Sequence, residues 1–189
     1  KSYVNSKGQT VTVYYTYYKM GNIPLEQKEL EITVIDDVVV SARRNVYGSN
    51  HKLSQTFTGC VGMQFSSNFT IPMNIQGSAT YPSIDKKEYS YRYDSQGNIV
   101  EIRFNERVLA SYLWGYKGKH PIIEAVGVSY DELFNVAKDY SYSDGLYLDN
   151  MNLFIDAIRA DNRLAGEEIL SYTYHWLLGM ATSTDSRGV

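Results

Sequence analysis

The residues that could carry nucleophilic or acid–base chemistry are few in this chain of 189 residues. The histidines are His51, His120 and His175, and the one cysteine is Cys60. A serine or cysteine nucleophile needs a histidine base that an acid orients, and none of the three histidines stands in a motif of that kind. A lone cysteine forms no internal disulfide, and we interpret Cys60 as a small buried side chain. We therefore predict no catalytic residue and a function that is not enzymatic.

Two adjacent carboxylate pairs, Asp36-Asp37 and Glu167-Glu168, are the remaining candidates for catalysis. Two carboxylates on either side of one glycosidic bond support its hydrolysis. Neighbours on a strand point to opposite faces, however, so neither pair is placed to flank one bond. We rank a glycan-degrading enzyme below the two binding or structural functions described below.

Metal and cofactor chemistry has no recognisable motif in the sequence. There is no pair of cysteines and no pair of histidines at helical spacing, although structural zinc sites need ligands of these kinds. The acids Asp139, Asp144 and Asp149 lack the close ligand spacing of a calcium loop. We predict neither a metal nor a cofactor.

The net charge of −3 and the isoelectric point near 5.6 argue against two classes of partner. Nucleic acids and anionic membrane surfaces both attract basic proteins. The chain also contains no apolar run long enough for a membrane helix. We expect no nucleic-acid partner and no membrane span.

Tyrosine is the most unusual feature of the composition, with 18 tyrosines against 6 phenylalanines and 2 tryptophans. Tyrosine suits half-buried strands, where the ring packs and the hydroxyl stays in water. We interpret most of the tyrosines as cross-strand ladders. The loop tyrosines Tyr140, Tyr142 and Tyr147 are the best candidates for a second function, in which exposed rings stack on a glycan.

The hydrophobic patterns predict a mainly β protein of antiparallel hairpins. Residues 9–18 alternate as a strand, "LEITVIDDVVVSA" reads as a hairpin around Asp36-Asp37, and residues 89–104 read as a second hairpin. Apolar runs at 108–116 and 168–176 add further strands. Ser129 and Glu132 form a capping box. They open a two-helix insertion at about 129–162, which should pack on one sheet face through Leu133, Phe134, Met151, Phe154 and Ile158.

Three four-residue turns share one pattern: an Asn or Asp, a Ser, a long polar residue and a Gly. They begin at Asn5, Asp94 and Asp185 and end at Gly8, Gly97 and Gly188. The first residue can accept hydrogen bonds from the backbone, and the glycine can take the positive φ that lets two strands pair again. The pattern predicts turns that fix hairpin register.

The segment "YRYDSQGNIVEI" resembles the repeat of the RHS/YD-repeat proteins, through Tyr93, Asp94, Gly97, Ile99 and Val100. The segments "YLWGYKGKHPIIEA" and "LSYTYHWLLGMATSTDSRGV" are similar, in the same order, to a Bacteroidetes subgroup of large surface or secreted members. The similarity covers roughly residues 88–189. Ser186 stands where that subgroup has proline, and no aromatic strand follows this turn.

The resemblance implies β-strand repeats linked with cell-surface contact, carbohydrate binding or a shell around a cargo domain. We therefore expect 1–189 to be a single β-rich domain that belongs to a larger exported repeat protein, at the cell surface or outside the cell. Its partners would be the rest of that protein and a glycan or cell-surface partner. Exposed sheet edges are expected to allow strand-mediated dimers. Carbohydrate binding is the alternative function.

Overall fold

The computed structural model describes residues 1–20, 22–59, 86–142, 148–175, 179–185 and 187–188. The predicted fold class is confirmed in its coarse form: the protein is mainly β, and the described residues form one antiparallel sheet and two helices. Each strand neighbours the next along the sequence. The strands are β1 (Ser2–Val4), β2 (Thr10–Met20), β3 (Ile23–Ile35), β4 (Val38–Tyr47), β5 (Leu53–Thr58), β6 (Lys86–Tyr93), β7 (Ile99–Phe104), β8 (Arg107–Gly115), β9 (His120–Val126), β10 (Glu168–His175) and β11 (Gly179–Thr184).

The helices are α1 (Tyr130–Asp139) and α2 (Leu148–Ala160), and a short 3-10 helix follows at Asn162–Leu164. The predicted cap of α1 is present, because the backbone N–H of Glu132 donates to Ser129 Oγ at 3.3 Å. This bond satisfies one of the donors that a helix start leaves without a partner. Neither helix in the described residues is long and apolar enough to cross a membrane.

The chain divides into two compact units, Lys1–Ser90 and Tyr91–Val189. The core of the first unit is formed by apolar residues of β3 and β4. The predicted hairpin between these strands is confirmed, because Ile35 pairs with Val38. The turn residues Asp36 and Asp37 have φ values of 47° and 63°. Two successive left-handed residues match the twist of a two-residue hairpin.

The second unit packs both helices on its strands. Buried helix residues meet buried strand residues in one cluster, as the helical spacing predicts. The helix residues predicted for this contact are Leu133, Met151, Phe154 and Ile158, which are buried, and Phe134, which is half-buried. Their partners in the cluster include Leu113, Ile123 and Ile169, from β8, β9 and β10. This packing fixes the ends of the helices, where the groove and the clamp described below lie.

Candidate functional site

The turns that begin at Asn5 and Asp94 have the same backbone hydrogen bonds. In each turn the glycine N–H donates to the carbonyl of the first residue, at 3.0 Å from Gly8 to Asn5 and 3.1 Å from Gly97 to Asp94. The first residue in turn donates its N–H to the carbonyl of the residue after the glycine, at 3.0 Å in both cases. These are the bonds of a type I turn that closes through a one-residue bulge.

The side chain of the first residue explains why Asn or Asp stands there. Asn5 Oδ1 accepts the N–H groups of Lys7 at 2.9 Å and Gln9 at 3.0 Å. Asp94 Oδ1 accepts those of Gln96 at 2.9 Å and Asn98 at 2.7 Å. One carbonyl or carboxylate oxygen thus holds two backbone donors that would otherwise need water.

The glycine at the fourth position is required by the backbone. Gly8, Gly97 and Gly188 have φ values of 78°, 85° and 82°. Left-handed backbone of this kind costs residues with a Cβ about 1–2 kcal/mol, so glycine is the residue that fits. The Asp94 turn is also bonded to the turn between β8 and β9, because Asn98 Nδ2 donates to the carbonyl of Gly118 at 3.0 Å.

The third turn, at Asp185, repeats the same opening bonds. Gly188 N–H donates to the Asp185 carbonyl at 3.0 Å, and Arg187 N–H donates to Asp185 Oδ1 at 2.9 Å. The Arg187 guanidinium also donates to Asp185 Oδ2 from two nitrogens, at 2.8 and 3.0 Å. This carboxylate raises the pKa of Arg187 above its ordinary value.

An arginine of α2 fastens this third turn to the helix. Arg159 Nη2 donates to the Asp185 carbonyl at 2.5 Å, and Nη1 donates to the Thr184 carbonyl at 3.4 Å. Nη1 also donates to the carbonyl of Ile169 at 2.9 Å. One guanidinium therefore joins α2, β10 and the end of β11, and we call this arrangement the Arg159 clamp. The clamp was not predicted from the sequence, since no local pattern marks a bond between a helix side chain and a distant carbonyl.

Tyr93, the tyrosine of the repeat-like segment, closes β6 directly before the Asp94 turn. Its side chain is half-buried, and burial together with the nearby Tyr91 raises its pKa above the ordinary value. A tyrosine at this position stays neutral and packs beside the turn. This placement agrees with a part in holding strands together.

The candidate binding tyrosine Tyr140 borders a groove of about 390 Å³ at the C-terminal end of α1. Ser141 lies beside it, and the α2 residues Asn150, Leu153, Phe154 and Ala157 form the rest of the lining. Tyr140 is 38% exposed and Leu153 is 71% exposed. The groove thus offers the exposed ring of Tyr140, the exposed aliphatic side chain of Leu153 and the amide of Asn150.

The ring of Tyr140 is held in place by a short chain of charged groups. Its hydroxyl donates to Asp161 Oδ2 at 2.9 Å. Arg163 holds both oxygens of the same carboxylate, at 2.9 and 2.8 Å, and also donates to Asp139 at 2.7 Å. The hydrogen bonds from Arg163 hold the pKa of Asp161 well below its usual range. The bond to Asp161 raises the pKa of Tyr140 above its ordinary value.

The other two candidate tyrosines stand differently. Tyr142 is half-buried between Phe134 and Phe154, with ring centroids 5.9 and 5.7 Å away. Its hydroxyl accepts from the N–H of Trp114 at 2.9 Å and donates to the carbonyl of the same residue at 2.6 Å. These contacts give Tyr142 a structural role between the helices and β8. Tyr147 lies outside the described residues.

A cross-strand group that the sequence analysis missed is centred on Glu124 of β9. Its Oε1 accepts from the hydroxyl of Tyr112 at 3.2 Å and its Oε2 from the hydroxyl of Tyr172 at 2.9 Å. Burial, together with this carboxylate, raises the pKa of each tyrosine to about 12. The ladder interpretation of the strand tyrosines therefore applies here, with a carboxylate as the central member across three strands.

The residues first considered for chemistry lie in separate places. A hydrogen bond of 3.0 Å joins His51 Nδ1 to the hydroxyl of Tyr18, whereas His120 stacks on Tyr174 with centroids 4.4 Å apart. Glu167 and Glu168 line a second cavity, of about 380 Å³, beside Arg159. In the ranges that the structure describes, no three His, Cys, Asp or Glu side chains are grouped so as to hold a metal ion. Cys60 lies outside those ranges.

No protein-family model matches this chain, and a search of curated proteins finds no match to it.

Proposed function

We propose that this chain is a non-catalytic structural and interaction segment of an exported repeat protein of the RHS/YD-repeat type. The observation that carries the proposal is the shared geometry of the turns at Asn5 and Asp94, which use the same backbone bonds and the same Asx side-chain anchor. Turns of one geometry in both compact units support a repeated hairpin unit. Their work is to set strand register.

The consecutive strand order supports the same proposal. Each of the eleven strands in the described residues lies beside its sequence neighbour, so no crossover connection is needed among them. An array built by adding hairpins has this order, because a tight turn joins antiparallel neighbours. The partners in this proposal are the rest of the repeat protein and a surface or glycan partner outside the cell.

The first experiment is to sequence the parent reading frame on both sides of these residues. We expect further hairpins whose turns carry Asn or Asp at the first position and Gly at the fourth, together with an export signal. A frame that encodes no additional hairpin of this kind would contradict the repeat-array proposal.

A carbohydrate-binding module is the second candidate, and the groove at Tyr140 favours it. A ring fixed by a hydroxyl bond can stack on a sugar without losing much side-chain freedom on binding. Asn150 adds an amide that can bind sugar hydroxyls. The groove volume of about 390 Å³ lies within the range of small-ligand sites.

The glycan hypothesis is tested by titrating the protein with a panel of neutral and acidic oligosaccharides and following heat of binding. Tyr140→Ala should abolish saturable binding while the circular dichroism spectrum stays unchanged. Tyr17→Ala is the matched control, because Tyr17 is comparably exposed, at 44%, and lies in β2, far from Tyr140 in the sequence. Equal loss in both variants, or no binding across the panel, would rule out this groove as the site.

A further inference from the structure

β11 stands at the end of the strand order, next to β10. Its residues, Gly179–Thr184, include no charged side chain and no proline, and all but the half-buried Thr184 are exposed. Charges and prolines are the usual devices that block further pairing at a sheet edge. β11 has neither, so its outer backbone groups are suited to pair with another strand.

The turn that follows β11 has a consistent meaning elsewhere in the chain. The Asn5 turn joins β1 to β2, and these strands pair with Val4 opposite Thr10. The Asp94 turn joins β6 to β7, which are neighbours in the sheet. In both cases the turn returns the chain along the strand that precedes it. The Asp185 turn begins with the same bonds immediately after β11.

The Arg159 clamp holds this edge ready for a partner. It fixes the carbonyls of Thr184 and Asp185, which are the last residue of β11 and the first residue of the turn. A strand that joins a sheet must otherwise order both itself and the edge that receives it. Here Arg159 of α2 already holds the last residue of β11 and the first residue of its turn.

We propose that the outer edge of β11 accepts one further antiparallel strand, which follows the Asp185 turn in the same polypeptide. This inference rests on the proposed repeat function and adds the pairing site to it. The strand is an extended segment without proline that alternates apolar and polar residues, as β7 does after the Asp94 turn. The main-chain ladder supplies the affinity, and the Asp185 turn supplies the register.

The test is to add a copy of residues 99–104 after residue 189 and to follow amide hydrogen exchange in β11. The readout is the set of β11 amides that do not donate to β10. We expect their exchange to slow by at least about tenfold relative to the original chain. The matched control carries prolines at the positions copied from Glu101 and Ile102, so that a missing donor faces β11 whichever way the strand is turned. The control should exchange as the original chain does.

Two further measurements decide between this strand and other occupants. Gly188→Val in the extended protein should abolish the protection, because valine opposes the positive φ of the turn. Unchanged exchange in the extended protein would overturn the proposal. So would protection in the original chain that rises with concentration while the particle mass doubles, because a second copy would then be the occupant. Protection in the extended protein together with a parent frame that lacks further hairpins would show that the edge accepts a strand although the proposed function has failed, so the two failures are distinguishable.

Discussion

Glu101 shows at the scale of one residue how the helices and the sheet are joined. It is 5% exposed, and Val100, on the other face of the same strand, is buried as well. Its Oε1 accepts from Arg103 Nε at 2.7 Å, and its Oε2 accepts from the N–H of Tyr130 at 2.8 Å. The second bond places the negative charge at the start of α1, where the helix dipole favours it.

The pKa of Glu101 reflects both its burial and these two hydrogen bonds. Burial raises the pKa, but the hydrogen bonds from Arg103 and Tyr130 outweigh it, and the pKa lies below its ordinary value of 4.5. A carboxylate with a lowered folded pKa stabilises the fold above its unfolded pKa. That stabilisation is lost as the pH falls through the folded value.

We expect Glu101→Gln to lower the free energy of unfolding at neutral pH by about 1–3 kcal/mol, because it removes the charge from two charge-assisted bonds. The variant should also lose less stability than the original protein as the pH falls below 4.5. Urea unfolding at neutral and acidic pH measures both effects. Glu26→Gln, at an exposed position, is the control and should change neither. Equal pH dependence in the original and Glu101→Gln proteins would contradict this account of the site.

At the scale of elements, each of these turns depends on the side chain of its first residue. The same task is done by an amide at Asn5 and by a carboxylate at Asp94, since each offers an oxygen that accepts two backbone N–H groups. The chain therefore contains its own matched substitution. The Arg159 clamp adds an anchor to the turn at Asp185.

We predict that Asp94→Ala lowers the free energy of unfolding by about 1–3 kcal/mol, because the N–H groups of Gln96 and Asn98 lose their shared acceptor. Asp94→Asn should cost less, since Asn5 makes the equivalent backbone bonds and the variant loses only the bond that Asn98 Nδ2 donates to Asp94 Oδ2 at 3.0 Å. Thermal unfolding monitored by circular dichroism compares the two variants. An Asp94→Asn protein as unstable as Asp94→Ala would show that the second carboxylate oxygen, and not the acceptor shared by the two backbone N–H groups, is what the turn needs.

At the scale of the whole molecule, the two compact units differ in how they build a core. In the described residues, the core of Lys1–Ser90 is formed by strands, whereas that of Tyr91–Val189 combines strands with both helices. All buried members of the helix-containing cluster lie between Leu113 and Ile169, within the second unit. This second unit thus holds an apolar core of its own.

A fragment of residues 86–189, which keeps β6 whole, is therefore expected to fold without the rest of the chain. It should retain the helical circular dichroism of α1 and α2 and unfold in one cooperative transition. A matched fragment with Met151→Asp should lose both signals, because it buries a charge where Met151 is 0% exposed. A fragment 86–189 that lacks cooperative unfolding would show that its core depends on residues 1–85.

Several elements followed from local sequence patterns because their period was regular. The alternation in β2 predicts a strand, and the capping-box pattern before α1 predicts a helix start, each from a few residues. β9 gave no such signal, because Pro121 and the neighbouring buried Ile122 and Ile123 break the alternation at a bulge. β11 is made of small residues apart from Met180, and its strand state comes from pairing with β10.

The candidate site divides in the same way. The turn residues were predictable because each acts on its own backbone neighbours. Glu101 was not, because the pattern "IVEIRF" reads as a strand with one polar face in water. That face meets the start of α1, about thirty residues later in the chain. A local pattern cannot predict such a long-range contact.

The consecutive strand order has a consequence for how this protein is made and how it can change. Except for the pairs β5–β6 and β9–β10, each described strand meets its partner within a short stretch of chain, so most strand pairings are local in sequence and can follow synthesis from the N-terminus. The same order lets a whole hairpin be gained or lost by duplication or deletion without rerouting any other connection. Length variation among descendants of such a gene is therefore expected in steps of two strands, with the turns as the points of exchange.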